Sequence, residues 1–461
     1  MKRFTAKRLI ALLLAVLMIV GALSGCGGSG GKDDPSENQA YSTDTENKDY
    51  SGRTPRLLLS IGGGGNYYEP IAQRMMDLYP GLTVEIEYSN TAEDVLRTQI
   101  LADNAPDIFN VNSGKLPWYD AIEQGIARPI DEIFELPTMD GSQKLGDLLD
   151  MNMFSLGEYE GEHYVMHEFQ YLNGFWYDAR FFRDNNLTVP TDWDSLCTLA
   201  EQCDDLGIDL LGYMGIAADE YGVWYWLWPM IASTDYDLFK SLYNLDAEAW
   251  KSDSMKRVVE KMAYIRDNGY YDINTMGCGA TEAQIAFIEH DFALYPCGSW
   301  LEAEMEGAWT EDWELTYLPY SFGDEEGDEY MVTGGLASMV SADTENWDLV
   351  CEFYRLMFSD DESIRNSTAV HHNVMILPDF SEKFGDLVDP SVNTASAVMS
   401  EVHLINQACG KWYPTTSTEL GNMLNAFMGG DIDGDEFIQR GYDCWTTVAN
   451  DEGITKYEFK G

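Results

Sequence analysis

The densest concentration of side chains able to do recognition chemistry is the run Tyr221-Gly222-Val223-Trp224-Tyr225-Trp226-Leu227-Trp228. On a helix Trp224 and Trp228 share one face, with Trp226 turned elsewhere. Two indoles side by side make a flat apolar platform. Rimmed by Asn, Asp, Glu or backbone groups, such a platform suits a ligand with a flat C–H face and a border of hydroxyls, which is the shape of a sugar ring. Core packing competes for the same residues, and at least one of these tryptophans is expected to serve it.

Other groupings that invite chemistry do not hold up. Gly62 to Gly65 lack the Lys-Ser/Thr of a P-loop, and Tyr67 breaks the Gly-x-Gly-x-x-Gly spacing. These glycines are read instead as a sharp turn or a close approach of backbone to ligand. His163 and His167 are four apart, but in a strand-like stretch, and His371-His372 is equally weak as a metal pair. Asp431, Asp433 and Asp435 begin like an EF-hand loop, yet Glu436 stands at its sixth place and Tyr442 at its twelfth, so a helix cap is the better reading. Neither a metal site nor a cofactor is expected. With 79 acidic residues, a close carboxylate pair of the glycosidase kind is expected by chance and carries no information.

These residues need elements to position them. Arg56 to Ile61 reads as a buried strand and Tyr68 to Leu78 as a helix, ended by Pro80-Gly81. Leu82, Val84, Ile86 and Tyr88 alternate as a strand, Thr91 with Asp94 marks a helix start, and Asp107 to Val111 fits a further strand. Strand–helix–strand–helix order at short spacing predicts a parallel sheet flanked by helices, hence α/β. Ligands in such sheets bind beyond the carboxyl ends of strands, which singles out Asn66 and Tyr67 after the first strand and Asn112 and Ser113 after the third.

The amino terminus carries an address. Lys2, Arg3, Lys7 and Arg8 precede an apolar run from Leu9 to Val20, and the segment closes on Leu23-Ser24-Gly25-Cys26. The run is shorter than the about 20 residues a membrane-spanning helix needs, so it reads as a secretory leader. Its ending resembles the lipobox of bacterial lipoproteins, which implies a signal peptide over 1–25, cleavage before Cys26 and a lipid on that thiol. An ordinary signal peptide with a chance cysteine is the alternative. Residues 26–55 are almost devoid of apolar side chains and read as a flexible tether with a reach of about 30 Å.

Charge and composition narrow the partners. The chain holds 28 Lys and Arg against 79 Asp and Glu, a formal charge of −51, and four of the basic residues lie in the leader. Phosphate backbones are repelled, so nucleic acid is excluded as a partner, and an anionic leaflet is no better. A hydrophobic content of 45% with 13 Trp, 27 Tyr and 19 Phe argues for packed cores rather than disorder. Cys197, Cys203, Cys278, Cys297, Cys351, Cys409 and Cys444 include no Cys-x-x-Cys and are odd in number, so mostly reduced thiols are expected.

A set of short motifs then falls in a telling order: Tyr79-Pro80-Gly81-Leu82-Thr83-Val84, Ala105-Pro106-Asp107-Ile108, Gly161-Glu162-His163-Tyr164-Val165-Met166, Phe175-Trp176-Tyr177-Asp178, Pro190-Thr191-Asp192-Trp193-Asp194-Ser195-Leu196, Ala293 to Trp300, and Thr333-Gly334-Gly335-Leu336. In order and spacing the set resembles the extracellular solute-binding proteins (family 1) of ABC importers. It departs from them in two places. The family usually has Pro where Met166 or His167 sits, and Asn where Asp178 sits.

The resemblance implies two α/β lobes of the type II periplasmic-binding-protein kind, discontinuous in sequence, with a ligand cleft between them. On that pattern 56–168 and 319–358 form the N-terminal lobe, 171–318 and 361–461 the C-terminal lobe, with crossings near 168–171, 317–322 and 358–361. It implies capture of a carbohydrate, an oligosaccharide above all, by hinge closure and delivery to permease subunits by a lipid-anchored monomer on the outer face of the cell membrane, without catalysis. Trp300 falls where the family's aromatic after Gly-x stacks on ligand. Trp412 and Tyr413 lie in a segment that returns to the cleft, Tyr171 just past the first crossing, and Gly335 in the Gly-Gly pair. Readings from other classes are a binding protein for a non-sugar solute, a secreted glycoside hydrolase, and an adhesin or sensory lipoprotein without an importer.

Overall fold

Strand β1 (Arg56–Ser60) buries Leu57, Leu58 and Leu59 in succession, so both of its faces are covered. It pairs in parallel with β2 (Glu85–Ser89) on one side and β3 (Ile108–Asn110) on the other. The crossovers are the helices Tyr68–Leu78 and Ala92–Leu101. The first buries Tyr68, Ile71, Ala72 and Met75, the spacing of a single helical stripe. The second starts after Thr91 as expected, although that side chain makes no capping bond. The computed structural model describes residues 48–459 apart from 61–65, 90, 111–115, 117, 156, 326 and 407–411. The leader, Cys26, the glycine run, Asn112, Ser113 and Cys409 therefore lie outside the described residues.

A hairpin of β4 (Glu158–Tyr159) and β5 (Glu162–His163) turns through Glu160 and Gly161, both at positive φ. Beyond it runs β6 (Val165–Asp178), 14 residues long. Then come β7 (Asp209–Leu211), β8 (Phe292–Gly298), β9 (Leu315–Leu318), β10 (Tyr330–Val340), β11 (Val374–Met375) and β12 (His403–Asn406). The large sheet has the order β2-β1-β3-β10-β6-β8-β7, with β9 and β11 also on β6 and β12 on β10.

Strand β6 is the spine of this arrangement. Its first half pairs with β10 and β11, its second half with β8 and β9. Two α/β lobes thus share one continuous strand. No proline interrupts it: Met166 and His167, where a proline is usual, face Ser338 and Ala337 across the ladder. A proline has no N–H to give such a ladder, and its absence suits an unbroken strand. The other departure is also accounted for. Asp178 caps the helix Ala179–Asn185 by accepting from Arg180 N–H at 3.0 Å, and its second oxygen lies 3.0 Å from His290 Nε2. Burial pushes this carboxyl up, but the bonds from His290 and the backbone outweigh that and leave it below its ordinary value.

Around the second half of β6 the helices are tightly packed. The aromatic run forms a π-helix, Ala218–Leu227, continued by the α-helix Trp228–Thr234. Helix Pro414–Met428 crosses it closely because Gly421 abuts Asp219, where a Cβ would sit 2.7 Å from the backbone nitrogen. The tether expected over 26–55 does not run free to its end, because Lys48 and Arg53 are moored to helix Trp347–Ser359 and Tyr50 is buried. Lys48 Nζ lies 2.6 Å from Glu352, Arg53 2.6 Å from Asp348, and Tyr50 stacks edge-on against Tyr79. Among the described residues no helix is long and apolar enough to cross a membrane, and the six described cysteines carry free thiols.

Candidate functional site

The tripeptide Gly298-Ser299-Trp300 closes β8 and opens the short helix Leu301–Glu304. Its residue types follow from its geometry. The Trp300 indole folds back over residue 298, where any Cβ would collide with the ring, so the position requires glycine. Ser299 is buried; its hydroxyl accepts from Leu172 N–H at 3.2 Å and donates to Asn373 Oδ1. The indole is thereby fixed against the middle of β6 while staying only half-buried.

Three tyrosines surround it. The Tyr171 ring is 5.0 Å away, edge-on, and those of Tyr225 and Tyr221 are at 6.0 and 6.4 Å. Tyr221 and Tyr225 lie one turn apart on the π-helix, an irregularity that often marks functional sites. From Tyr171 the wall continues to His371 at 5.9 Å, and from His371 to Tyr67 at 5.0 Å. One chain of ring contacts thus runs from the loop after β1 to the helix behind β8; Trp300, Tyr171 and Tyr221 are its part-exposed members, while Tyr67, His371 and Tyr225 are buried behind them. Asn66, beside Tyr67, is exposed.

Tyr67 is held from behind. Its hydroxyl donates to Glu168 at 2.8 Å, and the hydroxyls of Tyr68 and Ser338 donate to the same fully buried carboxylate. The Tyr354 and Ser338 hydroxyls are in turn 2.7 Å apart. Burial pushes the Glu168 carboxyl up to about 7, while the Ser338, Tyr68 and Tyr67 hydroxyls pull the other way. Gly335 sits opposite Gln170 on the neighbouring strand, and a Cβ there would strike the Phe169 carbonyl. This close approach of two backbones is a sufficient reason for glycine.

Of the residues singled out from the sequence, then, Tyr67, Tyr171 and Trp300 come together, with Asn66 and Gly335 beside them. Trp224 and Trp228 do not join this wall. Their rings are 6.2 Å apart on one helix face, as their spacing suggested, but they are buried against Tyr243, Tyr413 and Trp445 around about 20 Å³ of free space. That is room for roughly one water molecule. Trp412 packs on Tyr119 at 6.2 Å and Tyr457 at 5.5 Å, and the Tyr413 hydroxyl accepts from Tyr457 N–H at 2.8 Å.

The weaker groupings resolve into structural roles. His163 pairs with Asp131 at 2.7 Å, His167 sits between Trp118 and Phe154, and Asp433 caps helix Gly434–Asn450. Among the described residues no cluster of His, Cys, Asp and Glu could hold a metal. Sequence reasoning named Tyr221 and Tyr225 only as part of the aromatic run, His371 only in a weak metal pair and residue 168 only as the edge of a crossing, and gave none of them a place at the site. The two tyrosines had a usable signal, since their four-residue spacing equals that of the tryptophans on the other face.

No family model matches the chain. Over 273 residues it is 24% identical to the diacetylchitobiose binding protein NgcE of Streptomyces coelicolor, a match covering 58% of this chain and 56% of that protein. The chain therefore matches little more than half the length of this curated relative. Among solved structures, a probable secreted solute-binding lipoprotein from Streptomyces coelicolor superposes with a TM-score of 0.70 at 16% identity, over 86% of this chain and 99% of that one. A chitin oligosaccharide binding protein gives a TM-score of 0.64 at 21% identity, over 82% and 93% of the two chains.

Proposed function

We propose that this chain, which has the fold of the family 1 extracellular solute-binding proteins, captures a carbohydrate between its lobes and delivers it to an ABC importer. The observation that carries this reading is the part-exposed group Tyr171, Trp300 and Tyr221, backed by the buried rings of Tyr225, His371 and Tyr67. Flat apolar rings with polar neighbours match the two surfaces of a pyranose. The names of NgcE and of the chitin oligosaccharide neighbour make diacetylchitobiose the first sugar to try.

In this reading binding and closure are the whole activity, and no residue is catalytic. Ligand bridging both lobes stabilises the closed form by its difference in affinity for the two states. Crossings near 168–171, 317–322 and 358–361 act as the hinge. Cys26, lipidated after removal of 1–25, ties the domain to the outer face of the cell membrane through the tether, and the protein works as a monomer beside its permease.

Calorimetry with diacetylchitobiose and raffinose tests the reading. Trp300→Ala is expected to weaken sugar binding by roughly tenfold to a hundredfold, the cost of losing a stacking anchor. If Trp300 only packs, its loss costs about 3–5 kcal/mol of stability with affinity kept in whatever folds. Normal affinity with a collapsed melting temperature sinks the stacking role.

A further inference from the structure

One carboxylate belongs to the aromatic wall without having been assigned to it. Glu304 stands a turn beyond Trp300, its N–H donating to the Trp300 carbonyl at 2.9 Å, so both side chains arise from the same short helix. Gln284, buried to 2% exposure, donates its amide to Glu304 Oε2 at 2.7 Å. That bond orients the carboxylate and leaves Oε1 without a protein partner among the described residues. The charge of Glu304 bears on Tyr171, Tyr221 and Tyr295, two of which flank the indole, and that of Glu220 bears on Tyr171, Tyr221 and Tyr225 from the π-helix. Glu304 is open to solvent as a residue, yet burial pushes its carboxyl above the ordinary range, with the Gln284 bond pulling back.

We propose that Glu304, oriented by Gln284, is the acceptor that reads ligand hydroxyls at the rim of the Trp300 platform and restricts the site to uncharged sugars. The inference rests on the carbohydrate reading above and deepens it. A fixed carboxylate oxygen accepts from a hydroxyl more strongly than a neutral acceptor does. The same negative charge penalises a uronate, whose own carboxylate would be brought close to it beside the indole. Discrimination then comes from repulsion as well as from attraction.

The test measures diacetylchitobiose, raffinose and digalacturonate against the wild type, Glu304→Ala, Glu304→Gln and Gln284→Leu by calorimetry, with a thermal melt of each variant. Wild type is expected to bind a neutral sugar and to ignore digalacturonate. Glu304→Ala should weaken the neutral sugar by about tenfold to a hundredfold, the loss of a charged hydrogen bond, and Gln284→Leu by less. Glu304→Gln, nearly isosteric and able to fold where alanine fails, should retain part of the neutral affinity and bring digalacturonate into measurable range. Neutral-sugar affinity within twofold of wild type in both Glu304 variants overturns the assignment, as does wild type that prefers digalacturonate. Folded wild type that binds none of the three saccharides instead brings down the carbohydrate reading itself.

Discussion

At the scale of single residues, Glu168 makes the sharpest demand on the protein. A carboxylate with no solvent exposure is held by three hydroxyls, with Tyr354 and Tyr171 close behind. Its folded value of about 7 lies above the roughly 4.3 of a free glutamate. A raised carboxyl favours the protonated native state, so the benefit is complete below about pH 4.3 and is lost as pH rises toward 7. Glu168→Gln should remove this slope. Relative to wild type it gains up to about 3 kcal/mol between pH 4 and pH 8, read from urea midpoints at both ends. A constant difference between the two proteins across that range would refute the assignment. Nothing in the sequence distinguishes Glu168 from 78 other acidic residues, because its meaning lies in hydroxyls that reach it from β10 and from helix Tyr68–Leu78. Trp300 was singled out by the family resemblance instead. Its packing over Gly298, two positions away in the chain, is a steric relation written locally.

At the scale of elements, what could be read depended on how local the forces are. β1 to β3 and their two crossover helices follow from apolar spacing and turn residues and fall where expected. β6 gave no alternating pattern, since nearly every residue along its 14 is buried on both faces. The π-helix was invisible as well. An aromatic run fixes which side chains are large, whereas the winding is set by what packs against it. Helix Pro414–Met428 provides that packing, through Gly421 against Asp219. Gly421→Val should force the two helices apart at a cost of about 1–3 kcal/mol, seen as a lower melting temperature. Because Tyr221 and Tyr225 ride on the displaced helix, sugar affinity should fall with it; unchanged affinity would show that the tyrosines are not held by this contact.

At the scale of the whole molecule, the described residues from 48 to 459 hold together as one unit even though the sheet serves two lobes. The proposed closure would have to act through β6, the strand that both lobes share. Solution scattering should show a smaller radius of gyration on adding a bound sugar, and an unchanged radius at saturation counts against hinge motion. Replacing Cys26 with serine should release the protein from the membrane fraction or leave its leader uncut; a processed form that still sediments with membranes would rule the lipid out. The moorings of Lys48, Arg53 and Tyr50 add a mechanical consequence. Were the proposed lipid to hold the chain, a pull arriving at residue 48 would meet helix Trp347–Ser359 first, before any element that carries Trp300. In the proposed closure the half around β1 would then serve as the stator, and the half with the indole and its tyrosines would be the part that swings.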